Sequence, residues 1–369
     1  MTTGEDERPP AQNGTAPRGR AGRKVDVRDV GGSEQGRRVA VVTGASAGVG
    51  RSVAVQLAQE GFDVCAVARG RAGLEAAVRD VAGSGRRGLP VVADVSVFEE
   101  VRHVAETAEA ELGPVDLWVN NAMTTIFAPV LDVDPADFRR AVEVTFLGQV
   151  WGTKVALERM VPRDRGTIVN VGSALAFVGI PLQTAYCSSK FACRGFFESV
   201  RAELAHQQSH VRMAMVHLPG VNTTQFGWCK SVFATHPQPV PPIYQPEVAA
   251  RAIVSTALGH RHSKVLGLWN QLLVVMSSLF PGFSTEYAAL GAWDAQLTDM
   301  PVPPDRPVNL WAPVDDEEDK GAHGIFDRKA RGMLSPQFLA ALPTTLKSFC
   351  VAAARTAKEK TGHEGVSGT

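Results

Sequence analysis

From residue 38 onward, short apolar runs alternate with amphipathic stretches. Val39–Val42 is an apolar run closed by Thr43 and Gly44, the pattern of a strand buried on both faces. Val49, Val53, Leu57 and Ala58 then recur at helical spacing, and Gly61 stands where a helix should end. The same alternation predicts strands over Val64–Val67, Val91–Ala93, Leu117–Val119, Gly166–Val171 and Val211–Val216. Between them it predicts helices over Leu74–Val81, Val97–Leu112, Pro135–Met160 and Ala185–His206. A further helix is expected over Pro246–Leu258, with Pro and Glu in its first turn. Strands that alternate with helices in this way imply an α/β fold: a doubly wound parallel sheet of about seven strands, covered by helices on both faces.

The flanks read differently. Residues 1–36 are rich in Gly, Pro, Arg and charge, and are expected to be a disordered leader without the apolar core of a signal peptide. Residues 37–295 form the expected α/β domain. Residues 296–369 form a Pro-rich and acidic extension with a weak helical pattern over Phe338–Lys358. The acidic run Asp315–Asp319 is expected to be a solvated loop. The apolar run Leu272–Phe283 is too short to span a bilayer and reads as a buried helix or pocket wall.

Lys plus Arg and Asp plus Glu number 38 each, so the formal net charge is zero and nothing suggests nucleic acid as a partner. Five cysteines with no CxxC pair suit a reducing compartment, and a cytoplasmic location is expected. The histidines offer no metal-ligand spacing beyond His260 and His262, which fall in a polar turn, so no metal is expected.

The candidate chemistry begins at the first strand–helix turn. Three glycines, Gly44, Gly48 and Gly50, sit between them with Ser46 and Val49. Gly44 permits the turn, Gly48 lets the backbone approach a pyrophosphate, and Gly50 lets helix and sheet pack closely. The helix N-terminus offers free N–H groups to phosphate. Where an acid ending the second strand would accept from a ribose 2′-OH, the chain has Ala68 and then Arg69. A guanidinium there suits a 2′-phosphate, with help from Arg71 and Arg51, so NADP(H) is expected over NAD(H).

Tyr186 and Lys190 lie four residues apart on one helix face. A free phenol, with a pKa of about 10, is a poor base at neutral pH, and a nearby ammonium favours the phenolate. Two units of lowering would need roughly 2.7 kcal/mol. Ser173, just past the fifth strand, is placed to hydrogen-bond a substrate oxygen.

With these residues in view, the chain resembles the short-chain dehydrogenase/reductase family. Thr43-Gly44-x3-Gly48-x-Gly50, Asp94-Val95, Asn120-Asn121-Ala122, Ser173, Tyr186-x3-Lys190 and Pro219-Gly220 follow its order and spacing over about Arg38 to Ala292. The resemblance implies a Rossmann-like sheet and an oxidoreductase with a Tyr-Lys-Ser site that interconverts a carbonyl and an alcohol. It places Asp94 and Val95 at the adenine end, Asn120 as a brace, Asn121 and Ala122 along the ribose, and Pro219, Gly220, Val221 and Thr223 beside the nicotinamide. It also implies a homodimer or homotetramer built through the two long helices. Two positions depart from the family: Met123 replaces the usual Gly, and Thr145 stands where an Asn holds a proton-relay water. Thr145 is kept as a candidate catalytic residue because a hydroxyl can also hold a water.

For substrate, Phe226, Trp228, Phe233 and Tyr244, faced by Phe177, Ile180 and Leu182, suggest an apolar ketone or alcohol; Lys230 is the exception in polarity. Two other readings stand beside the enzyme: a regulatory protein that binds cofactor without turnover, and an epimerase, for which no sugar-nucleotide domain is evident.

Overall fold

In the computed structural model, residues 36–330 are described, apart from 281, 283, 284 and 287. The expected leader, save Gly36, and the helix expected over Phe338–Lys358 lie outside the described residues.

Seven parallel strands form one sheet: β1 Arg38–Thr43, β2 Phe62–Ala68, β3 Gly88–Val92, β4 Val115–Asn120, β5 Thr167–Ser173, β6 Arg212–Leu218 and β7 Ser263–Val265. Their order is 3-2-1-4-5-6-7. The chain thus reverses direction across the sheet between β1 and β4, which is where doubly wound folds bind their ligands. The helices are α1 Gly48–Gln59, α2 Arg71–Gly83, α3 Phe98–Leu112, α4 Pro135–Val142, α5 Gly148–Met160, α6 Thr184–His206, α7 Pro246–Leu258 and α8 Leu268–Leu279.

Both faces of the sheet are dry. On one, Val53 and Leu57 of α1 meet Leu74 of α2 and Ile253 of α7, all fully buried. On the other, Val104 of α3, Val155 of α5 and Phe197 of α6 pack against Val41 and Trp118. Each such side chain contributes about 1.5–3 kcal/mol relative to remaining in water. This two-sided burial is why β1, β2 and β4 read as continuous apolar runs rather than alternating ones.

Two features differ from expectation, and a third decides between two readings. The long helix over Pro135–Met160 is interrupted at Glu143–Leu147 by a π-helical turn. The edge strand β7 follows the polar His260–His262 turn and is too short to show a pattern of its own. Helix α8 follows the pocket-wall reading rather than the buried one: Trp269, Asn270 and Leu273 face a cavity, while Leu268, Leu272, Val275 and Leu279 are exposed. Among the described residues no helix is long and apolar enough to cross a membrane.

The extension does not fray at its start. Residues 305–330 run as a strap over the carboxyl ends of the strands. Leu310 is buried against Ile126, Ala141 and Ala185, and Phe326 against Phe127 and Phe226. Within the acidic run, Asp316–Asp319 are exposed as expected from sequence, but Asp315 is 4% exposed, and Asp319 pairs with Arg51.

Candidate active site

A cavity of about 700 Å³ opens at the carboxyl ends of the strands. That volume lies within the range of small-molecule sites. Gly44, Ser46, Gly48, Val49, Arg69, Asp94, Val95, Asn121 and Ala122 line one end. Ser173, Tyr186, Lys190, Pro219, Gly220, Val221 and Thr223 line the other. Of the catalytic and cofactor-binding residues expected from sequence, Thr43, Gly50 and Thr145 do not line it.

Thr43 acts one layer back. Its hydroxyl donates to Val119 O (3.3 Å) and accepts from the Asn121 and Ala122 N–H groups (3.0 and 3.1 Å). The Asn121 amide in turn donates to the carbonyls of Thr43 and Gly44 (3.0 and 3.2 Å). These bonds clamp the end of β1 to the end of β4. Gly44 and Gly48 hold φ of 66° and 55°, where only glycine is unstrained. A Cβ on Gly44 would lie 2.8 Å from Ala122 Cα, and one on Gly50 would overlap Gly44 O. The turn is therefore a backbone cradle at a helix N-terminus that fits a pyrophosphate, and its Gly48 N–H meets the strap carbonyl of Gly321 at 3.4 Å.

Asn120 is wholly buried. Its side chain accepts from Trp118 Nε1 (2.8 Å) and donates to Thr153 Oγ1 (3.1 Å) and Asn170 Oδ1 (2.9 Å), bracing β4 against α5 and β5.

At the other end, Ser173 ends β5 and Tyr186 lies in the first turn of α6. Their hydroxyls share a hydrogen bond. Lys190, one helical turn on, is fully buried; its Nζ lies 5.6 Å from the Tyr186 ring centre and donates to Val171 O at 2.8 Å. Burial pushes the Tyr186 phenol well above its ordinary value, against the Ser173 hydrogen bond. Burial likewise pulls the Lys190 ammonium down. Sequence did not single out His217. Its Nδ1 lies 3.2 Å from Ser173 O, and burial lowers its pKa to about 4, so a neutral imidazole supports the Ser173 backbone. Only its place on a buried strand beside the site could have flagged it.

Thr145, inside the π-turn, is fully buried. Its hydroxyl donates to Thr124 O (2.9 Å) and accepts from Thr124 N (3.0 Å). Its single proton is committed to the loop after β4, so it positions that loop.

Arg69 is also committed. One terminal nitrogen donates to Leu310 O (3.2 Å) and Trp311 O (3.0 Å), the other to Asn309 O (2.8 Å) and Asn309 Oδ1 (2.9 Å). Arg51 pairs with Asp80 and Asp319. Asp94 accepts from Arg140 and Ser96; burial opposes its charge, but these bonds outweigh it and hold the carboxyl below its usual range.

Of the expected substrate-side groups, Ile180, Phe226 and Trp228 line the cavity, joined by Met123, Leu175 and Trp269. Phe233 packs instead on Trp293, and Phe177 on His217. Tyr244 is buried beside Gly267, Leu182 lies in the core with φ of 67°, and Lys230 pairs with Asp137. Among the described residues no group of acidic, His and Cys side chains could hold a metal.

Comparison with known proteins bears on the family and the fold. Residues 38–229 match the short chain dehydrogenase family. An uncharacterized oxidoreductase of Bacillus subtilis, YxnA, is 32% identical over 72% of this chain and 76% of its own length. The putative oxidoreductase SadH of Mycobacterium tuberculosis is 29% identical over 69% and 95%. The 3-dehydrosphinganine reductase of Danio rerio is 32% identical over 50% and 57%. Among solved structures, a short chain dehydrogenase of Mycobacterium paratuberculosis bound to NAD superposes with a TM-score of 0.55 at 26% identity, over 62% of this chain and 95% of that one. The chain belongs to the short-chain dehydrogenase/reductase family, with a Rossmann-like sheet at its centre.

Proposed function

We propose that the protein is a nicotinamide-dependent oxidoreductase that interconverts an apolar ketone and its alcohol at Ser173, Tyr186 and Lys190. One observation carries this reading: a hydrogen-bonded Ser–Tyr pair with a buried Lys beside it shares a single cavity with Gly44 and Gly48 of the glycine turn. The cofactor, when bound, supplies or accepts the hydride.

The chain's own residues do the rest. The N-terminus of α1 and the Gly44–Gly50 turn hold the diphosphate. Asn121 and Ala122 border the ribose, and Pro219, Gly220, Val221 and Thr223 border the nicotinamide. In reduction Ser173 steadies the carbonyl oxygen and Tyr186 gives it a proton; in oxidation Tyr186 takes the proton back. The raised phenol of the protein alone is protonated at neutral pH, which suits the donor role. The Lys190 ammonium, with the positive charge of an oxidised nicotinamide, favours phenolate when Tyr186 must act as base.

Thr145 is left out of the proton path because its hydrogen is spent on Thr124. An apolar substrate is supported by the Met123, Leu175, Ile180, Phe226, Trp228 and Trp269 lining. The names of two relatives, built on sphinganine and on estradiol, point the same way.

The test is oxidation of NADH and NADPH by the full chain over a panel of aliphatic and aromatic ketones and small sugars. Turnover of the hydrophobic ketones is expected. Preference for sugars rejects the apolar assignment, and tight cofactor binding without turnover on any carbonyl points to the regulatory alternative.

A further inference from the structure

We propose that Asp315, delivered by the C-terminal strap, is the carboxylate that selects NAD(H) over NADP(H). The inference rests on the dinucleotide-binding reading given above.

In sheets of this kind the adenosine ribose is read at the end of the second strand, where an acidic side chain accepts from its 2′-hydroxyl. Here β2 ends in Ala68 and Arg69, with no acid of its own. The strap brings one from the far end of the chain. Asp315 O accepts from Gly73 N (3.0 Å), Asp316 O from Ala72 N (3.1 Å), and Asp316 Oδ1 from Arg71 N (3.0 Å). These are the orphan amides of the first turn of α2, which has no side-chain cap at Gly70. So held, the Asp315 carboxylate lies directly over Gly70, Gly73 and Ser46, where a Cβ at either glycine would collide with it. Two glycines in four residues make room for this one side chain. Asp315 also lines the cavity, together with Ser46, Ala68 and Arg69.

Arg69 lies close enough to feel the Asp315 charge, but the nearby side chains are committed elsewhere. A guanidinium has five N–H groups. Arg69 spends both terminal nitrogens on four strap acceptors, so the two-pronged face that would grip a phosphate is turned to backbone. Arg51 is held by Asp80 and Asp319, and Arg140 by Asp94. Arg71 leaves its side chain in solvent. A ribose hydroxyl beside Asp315 gains a charged acceptor, whereas a 2′-phosphate brings up to two like charges against it. This proposal runs against the NADP(H) expectation drawn from Arg69: on it, Arg69 anchors the strap, and the strap supplies the acid.

Direct binding decides this. NADH and NADPH are titrated against the full chain by calorimetry, for the wild type, for the isosteric Asp315→Asn and for Asp315→Ser as a second variant. The wild type is expected to bind NADH at least about tenfold more tightly than NADPH. Both variants should narrow that ratio by about tenfold, chiefly by tightening NADPH. A wild type that prefers NADPH, or binds the two equally, overturns this proposal while leaving the oxidoreductase reading intact. So does a ratio that neither variant moves. Failure to bind either dinucleotide overturns both.

Discussion

The two ends of the cavity are assembled in opposite ways. At the catalytic end, Ser173, Tyr186 and Lys190 come from one strand and the helix that follows it. At the adenosine end, the wall around Arg69, Gly70 and Gly73 is closed by residues 309–316, from the other end of the domain. The first arrangement depends on helical periodicity and one short connection. The second depends on a long-range fit whose determinants are two glycines and a set of backbone amides. The catalytic end should therefore be sensitive in its chemistry, and the adenosine end in its order.

Beside Tyr186 itself, the largest effect is expected at Lys190. Lys190→Met should lower turnover by roughly a hundredfold or more. The fold should survive, because Val171 O also accepts from Gln149 Nε2 at 2.9 Å. Steady-state kinetics beside a thermal melt checks both halves; a melt that collapses with activity would make Lys190 structural. Next, Gly50→Ala forces a Cβ into Gly44 O and should cost about 1–3 kcal/mol of stability together with cofactor affinity. Denaturant unfolding and NADH titration read the two effects.

At the other end, Gly70→Ala should displace the strap and leave the sheet intact. Hydrogen exchange over 305–330 should rise sharply in this variant, with exchange in β1 and β4 unchanged. Equal loss in both regions would mean that strap and sheet unfold as one unit. The smallest effect belongs to His323, which bridges Glu247 of α7 and Asp327 of the strap. Burial lowers its pKa, but these two carboxylates outweigh that and raise it. A raised folded value means the contribution is complete below the ordinary pKa of about 6.5 and is lost as pH climbs through the folded one. Strap exchange should therefore quicken slightly from mildly acidic to mildly alkaline pH, and His323→Gln should remove that dependence.

The same contrast explains what could be read in the chain. The Val39–Val42 run, the Gly44–Gly50 spacing and the Tyr186–Lys190 interval are local patterns, and each maps onto one element or one turn. The π-turn at Glu143–Leu147 carries no local mark, so Thr145 looked like a free hydroxyl until its partner Thr124 came into view. Helix α8 reads from sequence as an apolar run that is either buried or a pocket wall, and no local pattern tells that its outer face stays uncovered. Arg69 shows the limit most plainly. As a residue after β2 it suits a phosphate, but its partners lie 240 to 242 positions away. Nothing in a window around residue 69 or residue 315 announces that the two meet.

The central claim is that Tyr186 moves the proton while other residues hold the cofactor. Tyr186→Phe removes one oxygen and leaves the ring in place. Measured on the same preparation, turnover of a hydrophobic ketone should fall by about 10²- to 10⁴-fold while the NADH dissociation constant stays unchanged. Turnover that survives the substitution would contradict the account.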